Sequence, residues 1–178
     1  MVETIILDAC CTLNLAATGR AEEILRELPQ HFTVAPHARG EAQWLAVPDS
    51  EERELVDLEP LIYRGVLVEE VLEGSAEEAL FLEFGVSLAD GEAEAAALAV
   101  SRGYTLATDD RRARRVVTER HPATRLSGTL ELLREWQLTA QPTGLEVAEA
   151  LRRIAARATY RPRRADLLYA WWEQSINE

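Results

Sequence analysis

The sequence predicts an α/β fold, with a central, mostly parallel sheet flanked by helices and a helical C-terminal extension. Two observations carry this. Short β-branched apolar runs recur at Thr4-Ile5-Ile6-Leu7, Phe32-Thr33-Val34-Ala35 and Tyr104-Thr105-Leu106-Ala107, each too short for a buried helix. Between them lie segments of helical periodicity with Gly and Pro stops, and that alternation implies a sheet covered on both faces. At 178 residues the chain is long enough to bury a core without disulfide or metal support.

The elements follow in order. Thr4–Leu7 reads as a buried strand ending in Asp8. Residues 10–28 read as helical, broken at Thr18-Gly19 and stopped by Pro29. After the second strand, Pro36 opens a helix expected to run through Trp44. Residues 46–60 are acidic and hold Pro48 and Pro60, which predicts a loop and a surface helix. Leu61 to Leu72 is apolar enough for a strand or a strand-like ribbon. A helix is expected over 75–84 up to Gly85, and a second from a cap at Asp90 through Arg102 to Gly103. The third strand leads to Asp109, which opens an Arg-rich helix through Arg120. A short strand near Arg125-Leu126, a helix from Gly128 to about Trp136 and an amphipathic helix over 143–158 complete the chain. At the end, Leu167 with Trp171 and Leu168 with Trp172 form an apolar stripe for docking.

Composition narrows the class. Hydrophobic residues make up 47% and charged residues 28%, which fits a globular protein rather than a disordered one. No apolar run approaches the roughly 18–20 residues of a membrane span. Glu3 and Asp8 interrupt the first apolar stretch and no basic region precedes it, so a cytoplasmic protein without a signal peptide is expected. Cys10 and Cys11 are adjacent and the histidines are scattered, a pattern that predicts neither a disulfide framework nor a zinc cage. No Gly-x-Gly-x-x-Gly or Walker A loop supports a nucleotide site.

Charge is uneven. The net charge is −12, yet residues 1–100 hold 21 acidic and 5 basic residues while residues 101–178 hold 10 and 14. All 19 basic residues are arginine. Arg clusters at 111–115 and 152–164 suit bidentate phosphate contacts, although such runs are commonly solvated faces.

The candidate chemistry lies in carboxylates. Asp8 and the pair Asp109-Asp110 each follow a strand directly, at the sheet edge where α/β ligands gather. Each also suits a helix N-cap. Glu41 lies on the helix after the second strand. Within Gly91-Glu92-Ala93-Glu94-Ala95, a turn of about 100° per residue puts Glu94 on the face of Ala97, Leu98 and Ser101. That face is expected to meet a cleft, with Glu92 toward solvent. An all-oxygen set of this kind suits Mg²⁺ or Mn²⁺ acting on phosphates.

These pieces resemble the PIN-domain family, in the branch with a Gly-Glu-x-Glu-Ala helix. The resemblance rests on Ile5-Ile6-Leu7-Asp8-Ala9-Cys10 with Asn14, on Glu41, on Gly91 to Ala95, on Ala107-Thr108-Asp109-Asp110-Arg111-Arg112-Ala113-Arg114, and on Leu126 to Leu133. It implies a PIN-like three-layer fold over residues 1–138, with residues 139–178 as a helical extension packed on the same domain. It implies a metal-dependent endoribonuclease, the toxin of a toxin–antitoxin pair, with an antitoxin partner and a homodimeric state. Asp8, Glu41, Glu94 and Asp109 or Asp110 match the family's acids. Asp8, Glu94, Asp109 and Asp110 are then the metal ligands, with Asn14, Thr108, Arg111 and Arg112 toward the RNA. Rival expectations are a DNA or structure-specific nuclease on the same fold and a catalytically silent interaction subunit, which the net charge would suit.

Overall fold

A computed structural model describes residues 2–177. Its centre is a five-stranded sheet of β1 (Thr4–Leu7), β2 (His31–Val34), β5 (Val68–Glu69), β6 (Thr105–Ala107) and β7 (Leu126–Ser127). The strand order is β5-β2-β1-β6-β7 and every pairing is parallel. The inner strands are buried almost throughout, which is why they read as unbroken apolar runs.

Helices cover the sheet. They are α1 (Ala9–Ala17), α2 (Ala21–Glu27), α3 (Pro36–Glu41), α4 (Glu59–Tyr63), α5 (Gly74–Gly85), α6 (Asp90–Arg102), α7 (Arg111–Arg120), α8 (Thr129–Ala140), α9 (Gly144–Arg157) and α10 (Tyr169–Ser175). This is a PIN-like three-layer fold with extra C-terminal helices. The break between α1 and α2 falls at Gly19, whose φ of 72° few other residues adopt at low cost. Helix α6 lies deepest: Gly91 and every residue from Ala93 to Ala99 are buried. Its small side chains let it pack closely on α5, α3 and β1. No described helix is long and apolar enough to cross a membrane.

Several expected boundaries move. The helix from Pro36 ends at Glu41, and Trp44–Ala46 instead forms β3, antiparallel to β4 (Arg53–Leu55). A turn at Pro48-Asp49-Ser50, with Asp49 at φ 60°, closes that hairpin where a loop was expected. Of Leu61 to Leu72, only Val68–Glu69 is a strand, since α4 claims the first residues. Helix α6 is preceded by Ala89 rather than capped by Asp90, and Glu92 reaches back to the Ala89 N–H at 3.3 Å. Helix α7 is capped by Asp110, not Asp109. At the C-terminus Trp172 is buried and Leu168 packs on the core, whereas Leu167 is 99% exposed. Of the expected stripe only Leu167 stays out: Trp171 also packs against the core, lies under Arg134 and donates to Gln137 Oε1 at 2.9 Å.

Candidate active site

Strands β1 and β6 lie side by side with Leu7 opposite Ala107, so the chain leaves the sheet at Asp8 and at Thr108 together. The Asp8 N–H donates to the Ala107 carbonyl at 3.0 Å, and the Thr108 N–H to that of Ser127 at 3.0 Å. From β1 the sheet extends to β2 on one side and to β6 on the other. Such a switch point opens a crevice at the carboxyl ends of the strands.

Asp8 stands at the end of β1 and is 1% exposed. Its Oδ1 accepts the Cys11 N–H at 2.8 Å, which caps α1. The Cys10 thiol donates toward both carboxylate oxygens, at 2.9 and 3.0 Å. Burial pushes the Asp8 carboxyl up from 3.8 to about 6; the bonds from Cys10 and Cys11 oppose this, and the charge of Asp109 adds to it.

Asp109 is held from several sides. Its Oδ1 accepts the Thr129 N–H at 3.0 Å. Its Oδ2 accepts Asn14 Nδ2 at 3.0 Å and the Thr129 hydroxyl. Asp110 accepts the Ala113 N–H at 2.8 Å, and its own N–H donates to Thr108 Oγ1 at 3.1 Å. Thr108 is wholly buried and its hydroxyl stands inside the turn. Asn14 is 4% exposed, with its amide divided between Asp109 and Thr129 (3.0 Å each), which makes it a holder of Asp109.

The two glutamates of α6 lie elsewhere than expected: Glu94 is buried against His37 and Glu92 is at the cleft. Glu94 is 4% exposed, and its Oε2 accepts the His37 N–H at 2.9 Å and faces His37 Nδ1 at 3.0 Å. The His37 ring in turn stacks on Phe81, with centroids 5.9 Å apart. Glu92, expected in solvent, is half-buried and lines the crevice. Burial, then the charges of Asp110 and Glu41, push its carboxyl up, against the pull of Arg112. The sequence reading misplaced it because α6 is buried nearly all round, so no simple solvent face exists. Glu41 is exposed and accepts the Gly91 N–H at 3.0 Å, at the positive end of α6. A Cβ at Gly91 would lie 2.8 Å from the Glu41 carboxylate, so a larger residue there would push the exposed Glu41 side chain aside.

Together Cys10, Asn14, Glu92, Asp109 and Asp110 line a cleft of about 700 Å³. Arg111, Arg114, Arg161 and Arg163 form its basic wall, with Tyr160 beside them. Arg114 Nη1 donates to the Thr108 and Ser127 carbonyls at 2.9 and 2.8 Å, clamping β6 to β7. Arg112 is exposed and is not part of the wall. Tyr160 packs edge-on against Trp172, centroids 5.8 Å apart, and burial raises its hydroxyl. Arg161 and Arg163 belong to the second Arg cluster of the sequence and Thr129 lies within a segment of the family resemblance, but Tyr160 and His37 carried no sequence signal that set them apart.

Among the described residues, Asp8, Glu41, Glu92, Asp109 and Asp110 form no salt bridge with any arginine, although other acids of the chain form many. Asp8 and Glu92 are desolvated and lack an arginine salt bridge, a situation that a cation relieves. An all-oxygen donor set fits a hard ion such as Mg²⁺ or Mn²⁺. The one set of three ligand atoms mutually within 4.8 Å, among the described residues, is a different one: Asp8 with Cys10 and Cys11.

No curated protein matches the chain, and no solved structure does either. A family model does: that of the DUF3368 family, described as a PIN domain, matches residues 4–164. With the match spanning most of the 178 residues, and the parallel sheet and acidic cleft in place, the chain belongs to this PIN-domain family.

Proposed function

We propose that the protein is a Mg²⁺- or Mn²⁺-dependent endoribonuclease. The observation that carries this is the group of acids left without arginine partners at the carboxyl ends of β1 and β6, beside an arginine wall. Asp8, Glu92 and Asp109 would hold the ion, with Asp110 and Glu41 completing the negative field. When bound, the ion supplies an activated water and neutralises charge on the scissile phosphate.

The chain's own groups do the rest. Asn14 and Thr129 fix the Asp109 carboxylate, so little reorganisation is needed at the moment of reaction. Arg111, Arg161 and Arg163 line the cleft and suit the flanking phosphates of an RNA strand. Glu94, bound to His37, is a support for α3 against α6 and not a ligand in this reading. RNA rather than DNA, an antitoxin partner that covers the cleft, and a homodimer are parts of the proposal that rest on the family resemblance.

The test is a labelled single-stranded RNA pool with matched DNA, incubated with Mn²⁺, Mg²⁺ or EDTA. Metal-dependent cleavage of RNA by the wild type, and none by Asp8→Asn, supports the reading. Equal cleavage of DNA moves it to a nuclease of broader substrate. A second reading, a silent interaction subunit, is favoured by the Cys10 thiol seated on both Asp8 oxygens.

A further inference from the structure

The two cysteines, adjacent in sequence, stand against the carboxylates of Asp8 and Asp109. Cys10 Sγ lies 2.9 and 3.0 Å from the Asp8 oxygens and accepts the Asp109 N–H at 3.3 Å. Cys11 Sγ lies 3.6 Å from Asp109 Oδ2 and is wholly buried. Cys10 lines the cleft, so its sulfur is within reach of an ion that enters there. Both thiols are free, and the two sulfurs and an Asp8 oxygen are mutually within 4.8 Å. Ligand atoms that close can enclose one tetrahedral ion, with bonds of about 2.3 Å to sulfur and about 2.0–2.2 Å to oxygen.

We propose that Cys10, Cys11 and Asp8 form a thiolate–carboxylate site for a borderline-soft divalent ion, of which Zn²⁺ is the biological representative, and that filling it blocks the acidic centre by taking Asp8. Hard Mg²⁺ and Mn²⁺ select oxygen, whereas zinc and its surrogate Co²⁺ accept thiolate readily. The binding step is balanced. Each thiol loses its proton to solvent as its sulfur–metal bond forms, Asp8 donates as carboxylate, water from the cleft fills the remaining position, and no oxidation state changes. Sequence spacing gave no hint of zinc because the third ligand comes from the strand end and not from a second Cys or His pair. The binding claim stands on these residues alone; the blocking claim rests on the proposed nuclease reading.

The test is titration of the reduced full-length protein with Co²⁺ under anaerobic conditions. The expected result is a near-ultraviolet sulfur-to-cobalt charge-transfer band that saturates at one ion per chain, is abolished in Cys10→Ala and is displaced by Zn²⁺. Circular dichroism of Cys10→Ala checks that it folds, and Cys11→Ser repeats the test at the buried sulfur. Co²⁺ that raises the Tm without the band is bound by oxygen alone, which overturns this proposal and leaves the Mg²⁺/Mn²⁺ reading standing. No binding of Co²⁺, Mn²⁺ or Mg²⁺ by any readout overturns both. For blocking, one equivalent of Zn²⁺ is expected to lower Mn²⁺-supported cleavage at least tenfold in the wild type. Each variant is compared with its own zinc-free rate, and an equal loss in Cys10→Ala would overturn the blocking claim.

Discussion

Asp8 is the residue on which the site's electrostatics turn. Its carboxyl stands at about 6 in the fold against 3.8 outside it, mainly through burial. A raised acid is most at home protonated. Its contribution to stability is therefore complete below about pH 4 and is lost as pH rises through about 6. A shift of this size corresponds to about 3 kcal/mol. In EDTA at pH 8, Asp8→Asn should raise the Tm, and the gain should vanish by pH 4; an unchanged gain at both pH values would contradict the assignment. The α6 glutamates give a sharper comparison. Glu92→Gln should lower metal-dependent cleavage by about two orders of magnitude or more with little loss of stability, in line with losing a charge at the reacting centre. Glu94→Gln should leave cleavage within about tenfold but destabilise by about 1–2 kcal/mol, because it weakens a buried acceptor of His37. Parallel kinetics and urea unfolding of the two variants would separate them. Away from the cleft, Arg102 holds the Glu77 carboxyl down at about 2, so that pair supports the fold above about pH 4.5 and fails as pH falls toward 2.

At the scale of elements, helix starts do the positioning. Asp8 caps α1, Asp110 caps α7, and Gly128 precedes α8 so closely to Asp109 that a Cβ there would lie 2.7 Å from Oδ1. Asp109 is pinned by Asn14 and Thr129 and has little room to yield. Gly128→Ala should therefore weaken Mn²⁺ binding at least tenfold while the far-ultraviolet spectrum stays native; unchanged affinity by calorimetry would show that the carboxylate can move aside. The strand ends were legible from the sequence because a short apolar run followed by an acid has few other meanings in an α/β chain. Asp8, Asp109 and Asp110 could be found that way. Glu92 could not: on a helix buried nearly all round, periodicity does not say which polar residue meets a cleft. The β3–β4 hairpin was hidden because Trp44 and Arg53–Leu55 are largely exposed and lack the apolar alternation that marks a half-buried strand. Tyr160 and Arg161 reach the cleft through an irregular segment, whose path no local pattern specifies.

For the whole molecule, the proposed function asks an acidic chain to hold an anionic polymer. The net charge of −12 opposes approach of such a polymer, and Arg111, Arg114, Arg161 and Arg163 at the cleft offset it locally. Affinity for RNA should therefore fall steeply with salt. It should weaken further in Arg161→Ala/Arg163→Ala, read by fluorescence anisotropy on Asp8→Asn protein, which is expected to leave its probe uncut. Divalent ions should raise the Tm of the wild type by relieving repulsion among the acids, and by less in Asp109→Asn. The most direct measurement remains cleavage of a labelled RNA pool by wild type and Asp8→Asn with Mn²⁺ or EDTA. The account predicts cut RNA only with wild-type protein and metal. Intact RNA under all conditions, with a folded wild type that binds Mn²⁺, would contradict it.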